Sequence, residues 1–164
     1  MELKVIGESE KEIWDKVVYE SPQGTLFHSW KWLKIVEEHS KKIVLGKSYL
    51  ARLFPLMVFE KTEIVGIIPV FFYDIPFIKT VLSPATGVEN LYLGPVLYNQ
   101  EKLNQNKQQT RLLEFQNQID NFIKKTLKAE FCCFYLHYFS LYLSKSLNNA
   151  GMQKRYIFYQ HRLS

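Results

Sequence analysis

The chain has 164 residues, of which 47% are hydrophobic and 23% charged, and its net charge at pH 7 is +5. This length suits one domain with one buried core, and the 12 Phe and 10 Tyr residues exclude a disordered chain. The basic residues are scattered, without an arginine-rich run or an RNA-binding motif. The positive charge suits either a solvated surface or an anionic partner such as RNA, a nucleotide or a phospholipid headgroup, and we expect a solvated surface and no DNA partner.

The N-terminus has neither the basic region nor the apolar core of a secretory signal, which predicts a cytoplasmic protein. Cys132 and Cys133 are adjacent in an apolar run, where a mutual disulfide would strain the backbone, so we expect both to be reduced. The longest apolar stretch, residues 64–77, is interrupted by two prolines and an aspartate and is shorter than the roughly 20 residues of a membrane-spanning helix. We therefore expect no membrane insertion.

The first part of the chain predicts a strand followed by two helices. Residues 3–6 form the strand, and Ser9 with Glu12 forms a capping box for the first helix. Residues 21–25 break that helix, and Ser29 is placed to cap the second one. The apolar positions expected to face the core are Ile13, Trp14, Val17, Val18, Trp32, Leu33 and Val36.

The middle of the chain is typical of antiparallel strands. Residues 52–60 and 64–73 are rich in Phe, Val and Ile and are separated by a short polar turn, which predicts a hairpin. Residues 77–82 supply a third strand. Pro55 and Pro69 lack the N–H that a ladder needs, so we expect them where that group would face away from a neighbouring strand, or at a bulge.

The second half of the chain alternates helix and strand. The polar residues 99–109 are either a surface loop or the solvated start of a helix, and the apolar spacing of residues 112–127 predicts a long helix. Residues 131–138 are apolar on both faces, which is typical of a central strand covered by helices on each side. A short helix over 141–147 and a final strand over 153–163 complete the chain.

This order of elements predicts an α/β (α+β) fold, with a mixed, mostly antiparallel twisted sheet flanked by helices, in a single domain over residues 1–164. It is also the order of the GNAT N-acetyltransferase fold. Three segments sharpen the assignment: residues 24–32 (GTLFHSWKW), 64–70 (IVGIIPV) and 91–96 (LYLGPV). They resemble signatures in the first domain of FemAB-like proteins, GNAT-superfamily acyltransferases that include the peptidoglycan-bridge aminoacyltransferases.

The resemblance implies a tandem protein in which two GNAT-like domains pack together and the second one holds the activated acyl or aminoacyl donor. The chain is similar to the first of these domains, the acceptor-side half. The resemblance implies that the isolated chain binds no cofactor, and that acyl-CoA or aminoacyl-tRNA is bound only if a second domain is present. The implied partner is that second GNAT-like domain, or another copy of the chain in a homo-oligomer; the acceptor is not identified.

Two departures from the family pattern limit what can be carried over. A donor-binding GNAT domain has closely spaced glycines between its fourth strand and the next helix, because backbone N–H groups there bind the pyrophosphate. In this interval the chain has Gly87 and Gly94, far apart, and Pro95 has no N–H to donate. Val36 stands where peptidoglycan-bridge members have a lysine that holds an anionic cell-wall precursor. The sequence predicts no CoA pyrophosphate loop and does not indicate a cell-wall acceptor.

The candidate site residues each have a functional and a structural interpretation. His28 is either a general base or acceptor ligand, or a ring that hydrogen-bonds the start of the second helix. Trp30 forms either an aromatic wall for a ligand or part of the core. The polar cluster in the long loop over residues 83–95 is either a substrate site or a solvated connection. The candidate substrate-binding residues are His28, Trp30, Lys31, Glu89, Asn90 and Tyr92.

No catalytic residue and no metal site is assigned. The spacing assembles no Ser/His/Asp or Cys/His set, and His137 and His161 have no metal-spaced partner. Three functions stay open. The first is an acceptor-side acyltransferase half, which would self-associate or expose a large apolar patch. The second is a non-catalytic binding or dimerisation module that keeps the fold, such as a homodimer. The third is a small GNAT enzyme with an unusual CoA site.

Overall fold

The computed structural model describes residues 1–87 and 93–134. These residues form a mixed α+β structure with a mostly antiparallel sheet flanked by helices, as predicted. The predicted helix over 141–147 and strand over 153–163 lie outside the described residues. The elements in chain order are β1 (Glu2–Val5), α1 (Lys11–Glu20), α2 (Trp30–His39), β2 (Lys41–Val44), β3 (Lys47–Leu50), β4 (Arg52–Glu60), β5 (Glu63–Ile75), β6 (Ile78–Ser83), β7 (Val96–Leu97), α3 (Gln105–Asn121) and β8 (Phe131–Phe134).

The main sheet has the strand order β1-β4-β5-β6-β8, and β7 pairs with β5. All of these pairings are antiparallel except β6 with β8, which is parallel. Parallel neighbours require a crossover connection, and α3 lies in the chain between β6 and β8. The sheet is therefore an antiparallel meander that ends in one parallel pair.

Both faces of the central hairpin β4–β5 are covered, which explains why its sequence is a nearly continuous apolar run. On one face Met57, Ile67 and Phe71 pack with buried side chains of α1 and α2. On the other face Leu56, Ile68 and other alternate residues pack with the buried face of α3. Alternate strand residues point to opposite faces, so a strand with helices on both sides needs apolar side chains at every position.

The two strand prolines satisfy the positional rule expected of them. Pro55 and Pro69 lie directly opposite each other in the β4–β5 ladder, so no hydrogen bond between these two strands depends on an N–H from either residue. On its other side β5 pairs with β7 up to Ile67 and with β6 from Phe71 onward. Pro69 lies between these two paired parts. Each missing N–H thus falls where no ladder partner is needed.

The helices of the first part occur where expected, but two details of the prediction are wrong. The Ser9–Glu12 capping box does not form; instead Glu10 Oε2 accepts the Gly7 N–H at 3.0 Å. Ile13 is 48% exposed, because the buried stripe of α1 is Trp14, Val17 and Val18. In α2 the predicted Leu33 and Val36 are buried, Trp32 is half-buried and packs against the same core, and Trp30 is buried as well, since positions 30, 33 and 36 follow one another on one side of the helix.

The start of α2 is capped by a side chain from α1. Ser29 occupies the N-cap position, as predicted, but its hydroxyl donates to Leu26 O at 2.7 Å. The Trp30 N–H donates to Asp15 Oδ1 at 2.7 Å. A carboxylate from a neighbouring helix thus satisfies one of the unpaired N–H groups at this helix end, which holds α1 and α2 together.

The third helix begins earlier than its apolar spacing indicates. α3 starts at Gln105, with Asn104 accepting from the Lys107 N–H at 2.9 Å, so most of the polar stretch before residue 112 is helical. The helix continues as a π-helical turn, Phe122–Leu127, before β8. None of the helices in the described part of the chain combines the length and the apolarity needed to traverse a bilayer.

Sequence reasoning missed one element, the hairpin formed by β2 and β3. Its strands are four residues each, and residues with exposed side chains such as Ile43 and Leu50 break the expected pattern of apolar residues facing inward. The β8 cysteines are thiols, with Cys132 half-buried and Cys133 buried; burial raises the pKa of the Cys133 thiol.

Candidate functional site

The three sequence segments that carried the family resemblance meet at one place in the structure. The His28 ring, in the first segment, bonds through Nε2 to the Gly94 carbonyl oxygen, in the third, at 3.1 Å. Val96 of the third segment pairs with Ile67 of the second in the β7–β5 ladder. The junction is completed by Gln23, whose Oε1 accepts the Leu97 N–H at 3.0 Å. We call this region, residues 23–28, 66–67 and 94–97, the motif junction.

His28 is the central residue of the motif junction and is completely buried. The Thr25 N–H donates to Nδ1 at 3.3 Å, so Nδ1 is the acceptor nitrogen, and Nε2–H donates to Gly94 O. Burial lowers the pKa of His28 to about 4, against the opposing effect of the hydrogen bond to Gly94. At neutral pH the ring is therefore uncharged and is engaged by protein atoms on both nitrogens.

Glycines are required on two sides of the motif junction because backbones approach closely there. A Cβ on Gly24 would lie 1.8 Å from Val18 O, and a Cβ on Gly66 would lie 2.7 Å from Val96 O. Such distances are far below van der Waals contact, so any side chain at these positions would push segments apart. The glycines of the first two segments thus have a packing explanation.

The other predicted site residues are placed as follows. Trp30 is buried, packs edge-on against Trp14 with ring centroids 6.2 Å apart, and donates from Nε1 to Glu8 Oε2 at 2.8 Å. Lys31 is exposed at the start of α2. Glu89, Asn90 and Tyr92 lie outside the described residues. The structure therefore places His28 and Trp30 in adjacent elements, and both side chains are buried away from solvent. Lys31 faces the solvent.

The polar groups of the segment that leads from β6 to α3 are engaged by protein atoms. Ser83 Oγ donates to Pro69 O at 2.7 Å and also contacts Leu93 O. The Gly94 carbonyl is bound by His28, and the Asn104 side chain caps the first turn of α3. In the part of this segment that the structure describes, residues 84–87 and 93–104, no pair of nearby glycines offers convergent N–H groups to a phosphate.

A cavity of about 430 Å³ lies where the β4–β5 turn meets the start of α3. Its charged lining consists of three carboxylates and two cations, from Glu60, Glu63, Glu114, Lys107 and Arg111. The cavity lies at the end of the sheet toward which the parallel strands β6 and β8 run, because β6 is antiparallel to β5 and β5 begins at Glu63.

Arg111 determines the chemistry of this cavity. Its side chain is buried, its Nε lies 3.5 Å from Glu60 Oε2 without forming a hydrogen bond, and its guanidinium Nη2 lies 3.8 Å from Glu63 Oε2. Sequence reasoning did not single out Arg111. The available signal was its position four and eight residues before Phe115 and Ile119, which places a cation on the buried face of the helix.

No family model, curated protein or solved structure matches the chain.

Proposed function

We propose that this chain is the acceptor-side half of a FemAB/GNAT-type acyl- or aminoacyl-transferase, which acts together with a second, donor-binding GNAT-like domain. The observation that carries the proposal is the strand order β1-β4-β5-β6-β8, in which an antiparallel meander ends in one parallel pair bridged by a helix. This arrangement supports a GNAT-like fold more specifically than the order of elements along the sequence does.

The convergence of the three resemblance segments adds independent support. Residues 24–32, 64–70 and 91–96 are separated in sequence, yet described residues of the third segment contact both of the others at the motif junction. Segments that together define one fold are expected to meet in this way. The support concerns the fold, because the His28 and glycine contacts explain the segments by packing rather than by chemistry.

The absence of a donor site in the proposal rests on the segment before α3. A CoA pyrophosphate needs several backbone N–H groups that point to one place at a helix N-terminus. At α3 the Asn104 side chain accepts the Lys107 N–H, and Pro95 has no N–H. We therefore assign donor binding to the partner domain.

The cavity at Arg111 is the acceptor site in this proposal, and its mixed charges suit a small zwitterion that carries a reactive amine. Glu60, Glu63 and Glu114 would attract the ammonium group, while Lys107 and Arg111 would hold a carboxylate of the same molecule. A neighbouring carboxylate can accept the proton that an amine must lose before it attacks an acyl group.

The first experiment separates a half-enzyme from a small complete enzyme. Titration of the chain with acetyl-CoA by calorimetry at physiological salt is expected to show no saturable heat. A saturable one-to-one isotherm that is lost when residues 94–107 are mutated would overturn the proposal and establish a small enzyme with its own donor site.

The second experiment tests for the missing half. The tagged chain is purified from its own cells, and co-purifying proteins are examined for a GNAT-like domain with the glycine-rich donor loop. The pair, but neither protein alone, is expected to transfer an acyl group to a zwitterionic amine.

If Arg111 binds the acceptor carboxylate, Arg111→Met should raise KM for the acceptor about tenfold or more with little change in kcat, and Lys125→Met on an exposed helix face should change neither. A chain that yields no such partner and no transfer would be a binding module.

A further inference from the structure

Two hairpin turns in the structure carry the same unusual feature, a large apolar residue with a positive φ angle that is almost completely exposed. Leu45, in the β2–β3 turn, has φ of 50° and is 93% exposed. Phe77, in the β5–β6 turn, has φ of 73° and is 98% exposed. Positive φ is unfavourable for a bulky side chain, so neither backbone conformation nor burial explains these residues.

The turn geometry shows which residues would ordinarily stand there. Val44 pairs with Lys47, so Leu45 and Gly46 form a two-residue loop in which both φ angles are positive, and such loops favour Asn-Gly. Ile75 pairs with Ile78, so Pro76 and Phe77 form the other loop, and a proline followed by a positive φ favours glycine or asparagine at the second position. In both turns an apolar side chain occupies a position that suits a small or polar one.

A third hairpin turn, in the same sheet as the Phe77 turn, serves as an internal comparison. Lys61, in the β4–β5 turn, also has a positive φ of 56°, but its side chain is charged and thus suited to its exposure. This turn lies at the opposite end of β5 from the Phe77 turn. An apolar residue at positive φ is therefore not a general property of the hairpin turns in the described part of the chain.

The two apolar turns belong to neighbouring parts of the structure. Thr86 links the strands that lead to them, because its Oγ1 donates to Lys41 O at the start of β2 at 3.2 Å and bonds the Tyr73 hydroxyl in β5 at 2.9 Å. Tyr73 lies two residues before Ile75, where the β5–β6 turn begins. β2 thus lies beside the part of β5 that leads into the Phe77 turn.

The charge around the Leu45 turn is positive. The hairpin contains Lys41, Lys42 and Lys47, and residues 41–51 include no aspartate or glutamate. At the other turn, Asp74 is opposed by Lys79, whose Nζ lies 3.9 Å from Oδ1, and a second carboxylate, that of Glu130, accepts the Lys79 N–H at 2.8 Å. The excess of cations therefore lies at the Leu45 turn, which attracts an anionic partner, whereas carboxylates balance the lysine at the Phe77 turn.

We infer that the Leu45 and Phe77 turns dock the protein onto an anionic phospholipid surface, with the two apolar side chains entering the headgroup region and the lysines contacting the lipid phosphates and carboxylates. Lipid suits two separate projecting side chains, because a bilayer accommodates single apolar groups between headgroups. A stable protein interface instead needs about 800 Å² of complementary surface on each partner. A second copy of the chain is disfavoured, because a two-fold contact through this face would bring the lysines against one another.

The test is vesicle co-sedimentation of the full chain with vesicles of phosphatidylcholine alone and vesicles that also contain phosphatidylserine. The chain is expected to sediment with the anionic vesicles, and less so at high salt. The double variant Leu45→Asn, Phe77→Asn is expected to bind at least tenfold more weakly, as is Lys41→Glu, Lys47→Glu. Two matched variants should bind as the unchanged chain does: Leu113→Asn, which removes an exposed leucine from α3, and Lys61→Asn, which alters the third turn.

Contact at the tips is read out separately with tryptophan. Phe77→Trp is expected to shift its emission to the blue on anionic vesicles and to be quenched by brominated lipid, whereas Leu113→Trp should show neither change. Absence of binding to anionic vesicles, or equal binding by the tip double variant, would overturn the inference. Light scattering that shows a dimer abolished by the tip variant, without vesicle binding, would overturn it as well and assign the turns to a contact between copies. None of these outcomes depends on acyl transfer.

Discussion

At the end of the sheet toward which β6 and β8 run, small and polar residues are buried and held by specific contacts. At the opposite end, and in the separate β2–β3 hairpin that leads into the start of β4 there, two large apolar residues project into solvent. The motif junction belongs to the first end: His28 is fully buried, and Gly24 lies against the backbone of α1. Leu45 and Phe77 belong to the second end, in turns that would favour other residues.

This difference teaches how to separate residues that the fold requires from residues that it does not. At the motif junction each unusual residue has a contact that explains it, so substitution should lower stability. At the exposed turns no packing explains the residues, so substitution should preserve or raise stability. A residue whose replacement improves the fold needs an explanation outside the fold.

The largest effect is expected at the motif junction from Gly24→Ala. The new methyl group would lie 1.8 Å from Val18 O, so α1 and the following turn must move apart. We expect the free energy of unfolding to fall by about 3 kcal/mol or more, measured by denaturant titration. Gly46→Ala is the control, since nothing lies within 4 Å of its Cβ and only its positive φ opposes the change, which should cost about 1 kcal/mol. Equal losses in the two variants would contradict the close approach.

His28 should make stability depend on pH. Its pKa in the folded state is about 4, below the ordinary 6.5, so the unfolded chain takes up a proton before the folded one does. The stability that the neutral ring provides is therefore fully present above pH 6.5 and is lost progressively as pH falls to about 4. The loss should total about 3 kcal/mol.

The control for this pH dependence is His28→Gln, which has no titrating group at the position. The variant is expected to be less stable than the unchanged chain at neutral pH, because the hydrogen bonds to Thr25 and Gly94 are disturbed. The difference between the two proteins should shrink as the solution is acidified. A constant difference across this range would show that His28 is not buried in the neutral form.

The smallest effect is expected at the exposed turns. Leu45→Asn and Phe77→Asn should each raise the free energy of unfolding by about 0.5–1 kcal/mol or leave it unchanged, because asparagine tolerates positive φ better than a large apolar residue does. Lys61→Asn relieves the same backbone conformation and should change stability by a similar amount. A loss above about 1 kcal/mol in either tip variant would show that the side chain packs, and the contrast between the two ends would fail.

Much of the fold follows from the sequence because hydrophobic periodicity reports burial directly. The hairpin of β4 and β5 was predicted from its apolar runs, the places of Pro55 and Pro69 from their missing donor, and the buried face of α3 from its helical spacing. Periodicity fails where an element is short or buries little. β2 and β3 were missed for this reason, and the polar first turns of α3 could not be told from a loop.

The sequence by itself determined which residues are required at the motif junction, but not why. It marked His28, Gly24 and Gly94 through a resemblance, and chemistry or packing could have explained each of them. Only the tertiary structure decided, because the choice depends on which distant backbone atoms approach: Val18 O against Gly24, and Gly94 O against the His28 ring.

Likewise, the sequence shows Leu45 and Phe77 as ordinary apolar residues. Their exposure at positive φ follows from strand register, which is fixed by pairing between segments and cannot be read from any one of them.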